Sequence, residues 1–180
     1  MSQLNIYSAE DAALLNTFTE LNEMASALAD VGVRFERWNA NVPLPADAGE
    51  KEILAAYAND VARLMAESGY QSTDVVSLIP DHPQHTALRA KFLDEHTHGE
   101  DEIRFFVEGR GLFYLHIDQR VYGVLCEKND LISVPAGTPH WFDMGPRPRF
   151  TAIRLFGNPD GWVARFTGDP IAERFPPLDG

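Results

Sequence analysis

Apolar positions change their period partway along the chain. Phe18, Leu21, Met24, Ala25, Leu28 and Val31 recur at helical spacing, and Gly32 ends the run. Residues 33–38 read as a strand, and 39–49, with Pro43 and Pro45, as a loop. Ile53, Leu54, Tyr57, Val61, Leu64 and Met65 form the stripe of a second helix that Gly69 stops. Another strand is expected over 74–79, then a short helix opening at Pro83 and running to Phe92. From Ile103 the pattern turns to short β segments at 103–107, 112–117, 121–126, 131–134, 140–143 and 150–156. Turns are expected at 108–111, 118–120 and 128–130. Gly157 to Gly161 breaks the sheet, and a tail with Pro170, Pro176 and Pro177 follows.

Many short strands after a helical beginning predict an α+β fold, mainly β, built on a sandwich or small barrel. With 180 residues the chain is expected to be a single unit. Its parts are a mixed segment over 1–94, a barrel core over 95–156 and a C-terminal tail over 157–180. Hydrophobic content of 44% is that of an ordinary globular protein. The formal charge of -12 argues against a nucleic-acid partner, which needs a basic face. No stretch reaches the length of a membrane span, and no signal-peptide pattern opens the chain, so a cytoplasmic location is expected. A lone Cys126 forms no internal disulfide and reads as a buried strand residue.

The chemistry gathers in two patches. His96, His98 and Glu102 form an HxHxxxE run, and Pro135, Gly137 and His140 a PxGxxH run. Alternation along a strand points His96 and His98 the same way, and Glu102 shares their parity. Three imidazoles and a carboxylate exceed the three protein ligands of a catalytic zinc site and suit an octahedral ion with two positions left open. Arg104 continues the face of Glu102. It reads either as a catalytic donor to a substrate oxygen or as a structural ion-pair partner. Phe92, Phe142 and Trp162 are candidates for an apolar pocket wall. Glu95 and Glu100 read as solvated loop carboxylates, His82 and His85 as exposed, and His116 and Arg154 as structural.

The HxHxxxExxxxxxG pattern of His96, His98, Glu102 and Gly109 resembles the first cupin motif, and Pro135, Gly137 and His140 resemble the second. Cupins are double-stranded β-helix (jelly-roll) barrels, so N-terminal helices are expected packed outside such a barrel. The glycines and asparagine at the motif flanks are replaced by Ala90, Asn129 and Met144. A narrower resemblance covers nearly the whole chain. Gly32 to Trp38, Lys91 to Glu102, Glu127 to Ala136 and Pro139 to Gly145 resemble the bacterial acireductone dioxygenases.

That resemblance implies a metal-dependent enzyme that cleaves acireductone, 1,2-dihydroxy-3-keto-5-methylthiopentene, with O2 in methionine salvage. It implies one Fe2+ or Ni2+ per chain on His96, His98, Glu102 and His140. The iron form would give 4-methylthio-2-oxobutanoate and formate; the nickel form would give 3-methylthiopropanoate, formate and carbon monoxide. The protein is expected to act as a monomer. Another cupin isomerase or oxidase, or a non-catalytic metal-binding cupin, is the competing expectation. The aromatic pocket candidates and the lack of a basic phosphate cluster argue against it.

Overall fold

The computed structural model describes residues 1–39 and 41–179. Residue 40, inside the expected 39–49 loop, and residue 180, last in the expected tail, lie outside the described residues. The elements run β1 (Gln3–Ser8), β2 (Leu14–Phe18), α1 (Leu21–Ala29), β3 (Arg34–Arg37), α2 (Glu50–Ala56), α3 (Ala58–Ser68), β4 (Ser72–Leu78) and α4 (His85–Leu93). They continue with β5 (His96–Thr97), β6 (Glu102–Ile117), β7 (Arg120–Glu127), β8 (Asp130–Val134), β9 (His140–Asp143), β10 (Phe150–Phe156), β11 (Arg165–Phe166) and a 3-10 helix at Pro170–Arg174.

Two antiparallel sheets share β6. One is ordered β11–β5–β9–β6–β7–β1–β2. The other joins β4, β10, β6, β8 and β3. This is the expected cupin jelly roll, mainly β, with helices against its outside. Strands β1, β3 and β4, from the N-terminal half, pair with β7, β8 and β10 of the later part of the chain.

The turn expected at 108–111 is absent, and β6 runs through as one 16-residue strand. Gly109 adopts φ +72°, where a Cβ would sit 1.9 Å from the Arg149 carbonyl oxygen. Two residues before it Val107 is skipped in the pairing, as the register of β10 shifts between Thr151, opposite Glu108, and Ala152, opposite Phe106. Such a bulge bends a strand and adds one residue to its count. The strand therefore passes from one sheet to the other and exchanges parity. Before the bend, Phe106 faces the interior, and Ile103, Phe105 and Val107 face out. After it, Phe113 and Leu115 face in and Tyr114 faces out.

Burial on both faces explains the continuous apolar character of β6. Outside, Ile53, Tyr57, Val61 and Leu64 of α2 and α3 cover Phe105 and Val107. Each large side chain so buried contributes roughly 1.5–3 kcal/mol. The stripe read as one helix is two, because Tyr57 leaves the helical region at φ -108°, ψ 18°. Gly69, at φ +67°, ends the second as expected, with its N–H on Met65 O.

Two strands at the N-terminus were not expected. In β2, Leu14 and Leu15 are both exposed, so the alternation of a half-buried strand is missing. Phe18 closes β2 rather than opening the helix, which begins at Leu21. Past the Gly157 break the chain does not simply trail away. It returns as β11 on the edge of β5, and Ile171 and Phe175 then cover Tyr114 and Trp141. No helix among the described residues is long and apolar enough to cross a membrane.

Candidate metal centre and its cavity

Register brings the two patches together. His96 on β5 pairs directly with His140 on β9, while Glu102 is the first residue of β6. The loops between them are tied. Gly137 N donates to His98 O at 2.9 Å, and Ala136 N donates to the Asp101 carboxylate at 2.7 Å. The Pro-Ala-Gly turn ahead of His140 thus hangs on the loop that carries His98.

Each imidazole is oriented through its Nδ1. That of His96 meets Asp94 O at 2.7 Å, that of His98 meets Val163 O at 3.1 Å, and that of His140 meets Thr138 O at 2.7 Å. A carbonyl only accepts, so each Nδ1 carries the proton and each Nε2 presents a lone pair. The three rings offer ligand atoms within 4.8 Å of one another. Burial pushes His140 down to about 3 and lowers His96 as well, so both rings are neutral at physiological pH.

Glu102 is 1% exposed. Its Oε1 accepts from Arg104 Nε at 3.1 Å and from Nη2 at 2.6 Å. Burial alone would raise this carboxyl, but the Arg104 guanidinium overrides it and holds the group well below the usual carboxylate range. The other oxygen, Oε2, has no hydrogen-bond partner. It lies 3.2 Å from His98 Nε2 and 3.8 Å from His140 Nε2. A buried anionic oxygen facing two imidazole lone pairs is an unfavourable arrangement unless a cation sits between them. Two ligands on one ion with arms of about 2.1 Å lie roughly 3 Å apart at a right angle. The three imidazoles, with Glu102 Oε2 beside two of them, therefore fit a divalent metal.

The imidazoles open onto a cavity of about 550 Å³. Arg104 lies on its wall, buried, with its guanidinium over the rings of Phe142 (4.7 Å) and Phe113 (4.9 Å). Both readings of Arg104 meet here, since it pairs with Glu102 and also faces the cavity. Phe92 packs edge-on against Phe142 at 6.4 Å, and both line the wall. Trp162 lines it too, at the mouth, with 51% of its surface exposed. Arg154 stands on the wall with Asp74 bound to it at 2.6 and 2.8 Å, as its structural reading required.

Several neighbours differ from expectation. Glu95 is not solvated; it is 4% exposed and accepts from Thr167 Oγ1 at 2.7 Å and pairs with His116 Nδ1 at 2.9 Å. Glu100 is half-buried and accepts from Asn158 at 2.7 Å. His82 is half-buried on the cavity wall, and His85, also half-buried, begins α4. The segment around Val163 was missed as an organiser of the site. Its carbonyl aims His98, and Phe166 packs on His96 at 5.8 Å. Trp162, Val163, Ala164 and Phe166 all lie on the wall, so no period in the sequence marks them.

Fold and site together are those of a metal-binding cupin enzyme. Comparison with known proteins narrows this. The ARD/ARD′ family profile matches residues 3–164. An acireductone dioxygenase of Pseudomonas paraeruginosa is 62% identical over 180 residues, covering 99% of each chain. One from Stutzerimonas stutzeri is 59% identical with the same coverage. The solved acireductone dioxygenase of Bacillus anthracis, with a cadmium ion in its active centre, has a TM-score of 0.81 at 31% identity, covering 92% of this chain and 98% of that one. The chain belongs to the ARD/ARD′ family, and it is a dioxygenase.

Proposed function

We propose that this chain cleaves acireductone with O2, using one Fe2+ or Ni2+ held by His96, His98, Glu102 and His140. The observation that carries the reading is the unpaired Glu102 Oε2 facing imidazoles whose Nδ1 protons are all committed to carbonyls. A divalent metal bound there supplies Lewis acidity that favours the deprotonated enediol.

The protein's own groups do the rest. Arg104 balances the charge of Glu102 through one edge and keeps further N–H donors for a substrate oxygen on the cavity side. Phe92, Phe142 and Trp162 receive the methylthioalkyl tail and keep water from the reacting carbons. The cadmium named in the Bacillus anthracis relative supports a divalent ion at this place.

The metal, not the chain, selects the products. Apoprotein reloaded with Fe2+ is expected to give 4-methylthio-2-oxobutanoate and formate. Reloaded with Ni2+, it is expected to give 3-methylthiopropanoate, formate and carbon monoxide. The test mixes each form anaerobically with the enediol, admits oxygen, and measures carbon monoxide and the keto acid at verified metal content. Equal product ratios from both forms would mean that the pocket, and not the ion, sets the cleavage position.

A further inference from the structure

The chain carries 27 acidic and 15 basic residues, yet the substrate proposed above reacts as an anion. The cavity reverses that balance. No Asp or Glu lies on its wall among the described residues, and its permanent charges are Lys91, Arg104 and Arg154. Two of these are neutralised from behind. Glu102 holds Arg104 at 2.6 Å, and Asp74 holds Arg154 at 2.6 Å. The Lys91 ammonium has no ion pair and no hydrogen bond among the described residues.

Lys91 stands in the last turn of α4, one helical turn from Leu88, and Leu88 and Phe92 share its wall. His82, in the loop before α4, also lines the cavity. Its Nδ1 accepts from Gln84 N at 3.2 Å. The neutral ring therefore carries its proton on Nε2 and has that N–H free as a donor. A free cation at the mouth of a low-dielectric cleft focuses the field and raises the rate at which anions enter.

We infer that Lys91 and His82 form an anion-gathering rim. Lys91 draws the deprotonated enediol into the cavity against the acidic surface, and His82 gives it a hydrogen bond on the way in. This rests on the substrate proposed above. Lys91 also complements the negative end of α4, a purely structural role. The test must separate the two.

The experiment measures kcat and KM of the metal-loaded protein at ionic strengths from about 10 mM to 0.5 M. Lys91→Gln is expected to lower kcat/KM about 3–10-fold at low salt, and Lys91→Glu about 10–30-fold, with kcat nearly unchanged. The gaps should close toward 0.5 M salt, where the Debye length shrinks to a few ångströms. Lys91→Arg should behave as wild type. His82→Ala should raise KM about threefold at every salt concentration.

Lys51→Gln, on α2 and away from the cavity, removes the same charge and should change nothing. A merely structural Lys91 would lower the melting temperature while leaving the salt dependence of kcat/KM as in wild type, and that result overturns the rim. So does an equal loss in Lys51→Gln. An unchanged KM in His82→Ala overturns the share given to His82. Wild-type protein that fails to consume the enediol with either metal would overturn the substrate reading and the rim with it. Turnover by wild type with a flat Lys91 response overturns the rim alone.

Discussion

Glu102 and Asp143 are equally buried carboxylates, at 1% and 0% exposure; Asp143 ends β9, whose first residue, His140, lies 3.8 Å from Glu102 Oε2. Asp143 is saturated. Its Oδ1 accepts from Arg89 Nε and Gly145 N, each at 2.8 Å, and its Oδ2 from Arg89 Nη2 at 3.0 Å and Leu178 N at 2.8 Å. It ties α4, the end of β9 and the C-terminal tail. Glu102 has an arginine of its own, but all of that pairing falls on one oxygen and the second is left bare. The fold therefore can satisfy a buried carboxylate fully and does so where only structure is needed. A bare oxygen beside two of the three oriented imidazoles is the feature on which the proposed metal site rests.

The largest expected difference follows directly. Glu102→Gln should lose the bound metal and lower turnover about 10³-fold or more. Asp143→Asn should keep metal content and kcat within about threefold of wild type. Calorimetry sharpens the contrast. Metal at about a thousand times its dissociation constant stabilises a specific site by roughly 4 kcal/mol. That gain should survive in Asp143→Asn and vanish in Glu102→Gln. Full occupancy in Glu102→Gln, or in a His96→Ala/His140→Ala double variant, would remove those residues from the ligand set.

Arg104 comes next in size, because it serves the bare carboxylate and the cavity together. Arg104→Ala should cost about 2–4 kcal/mol of transition-state stabilisation, read as a fall in kcat/KM at saturating metal. Metal affinity should weaken about 10–100-fold, as when a partner that orients a ligand is removed. Arg104→Lys should recover only part of both, since a point charge reproduces neither the fork on Oε1 nor the stacking over Phe113 and Phe142. Wild-type rates in Arg104→Ala at normal metal content would leave it a structural ion-pair partner alone.

What the sequence made legible was whatever depended on period and spacing. Spacing singled out His96, His98 and His140, whose ring nitrogens the fold gathers, although β5 ends at Thr97 and no strand joins His98 to Glu102; the strands from β7 to β10 fell close to their expected limits. Three things escaped for physical reasons. Gly109 reads as a turn residue, since a positive φ serves a bulge and a turn equally, and only the approach of Arg149 O decides between them. In β2 the side chains meet solvent on both faces, which erases alternation. Glu95 and Val163 act through partners distant in sequence, Glu95 through Thr167 and Val163 through the backbone carbonyl that meets His98. A one-dimensional pattern carries no sign of either.

The smallest effect tests the saturated carboxylate. Asp143→Ala leaves Arg89 and the N–H groups of Gly145 and Leu178 without their acceptor, at a cost of about 2–4 kcal/mol in denaturant unfolding. The lower end is expected because Arg89 keeps partial access to water. Acid should expose the same pair. Burial by itself would raise Asp143, but the bonds from Arg89, Gly145 and Leu178 outweigh it and hold the native group below its unfolded value of about 3.9. A carboxylate lowered in the native state gives its full stabilisation above the unfolded pKa and loses it as the pH falls toward the native one. Unfolding free energy of the metal-free protein should therefore decline below about pH 5 in wild type, and less steeply in Asp143→Asn. Metal-free protein is the right sample, since protons and metal compete at Glu102 and would mask the contribution of Asp143. Equal slopes for wild type and Asp143→Asn between pH 5 and pH 3 would mean that the pair does not govern acid unfolding, and the contrast with Glu102 would then rest on metal binding alone.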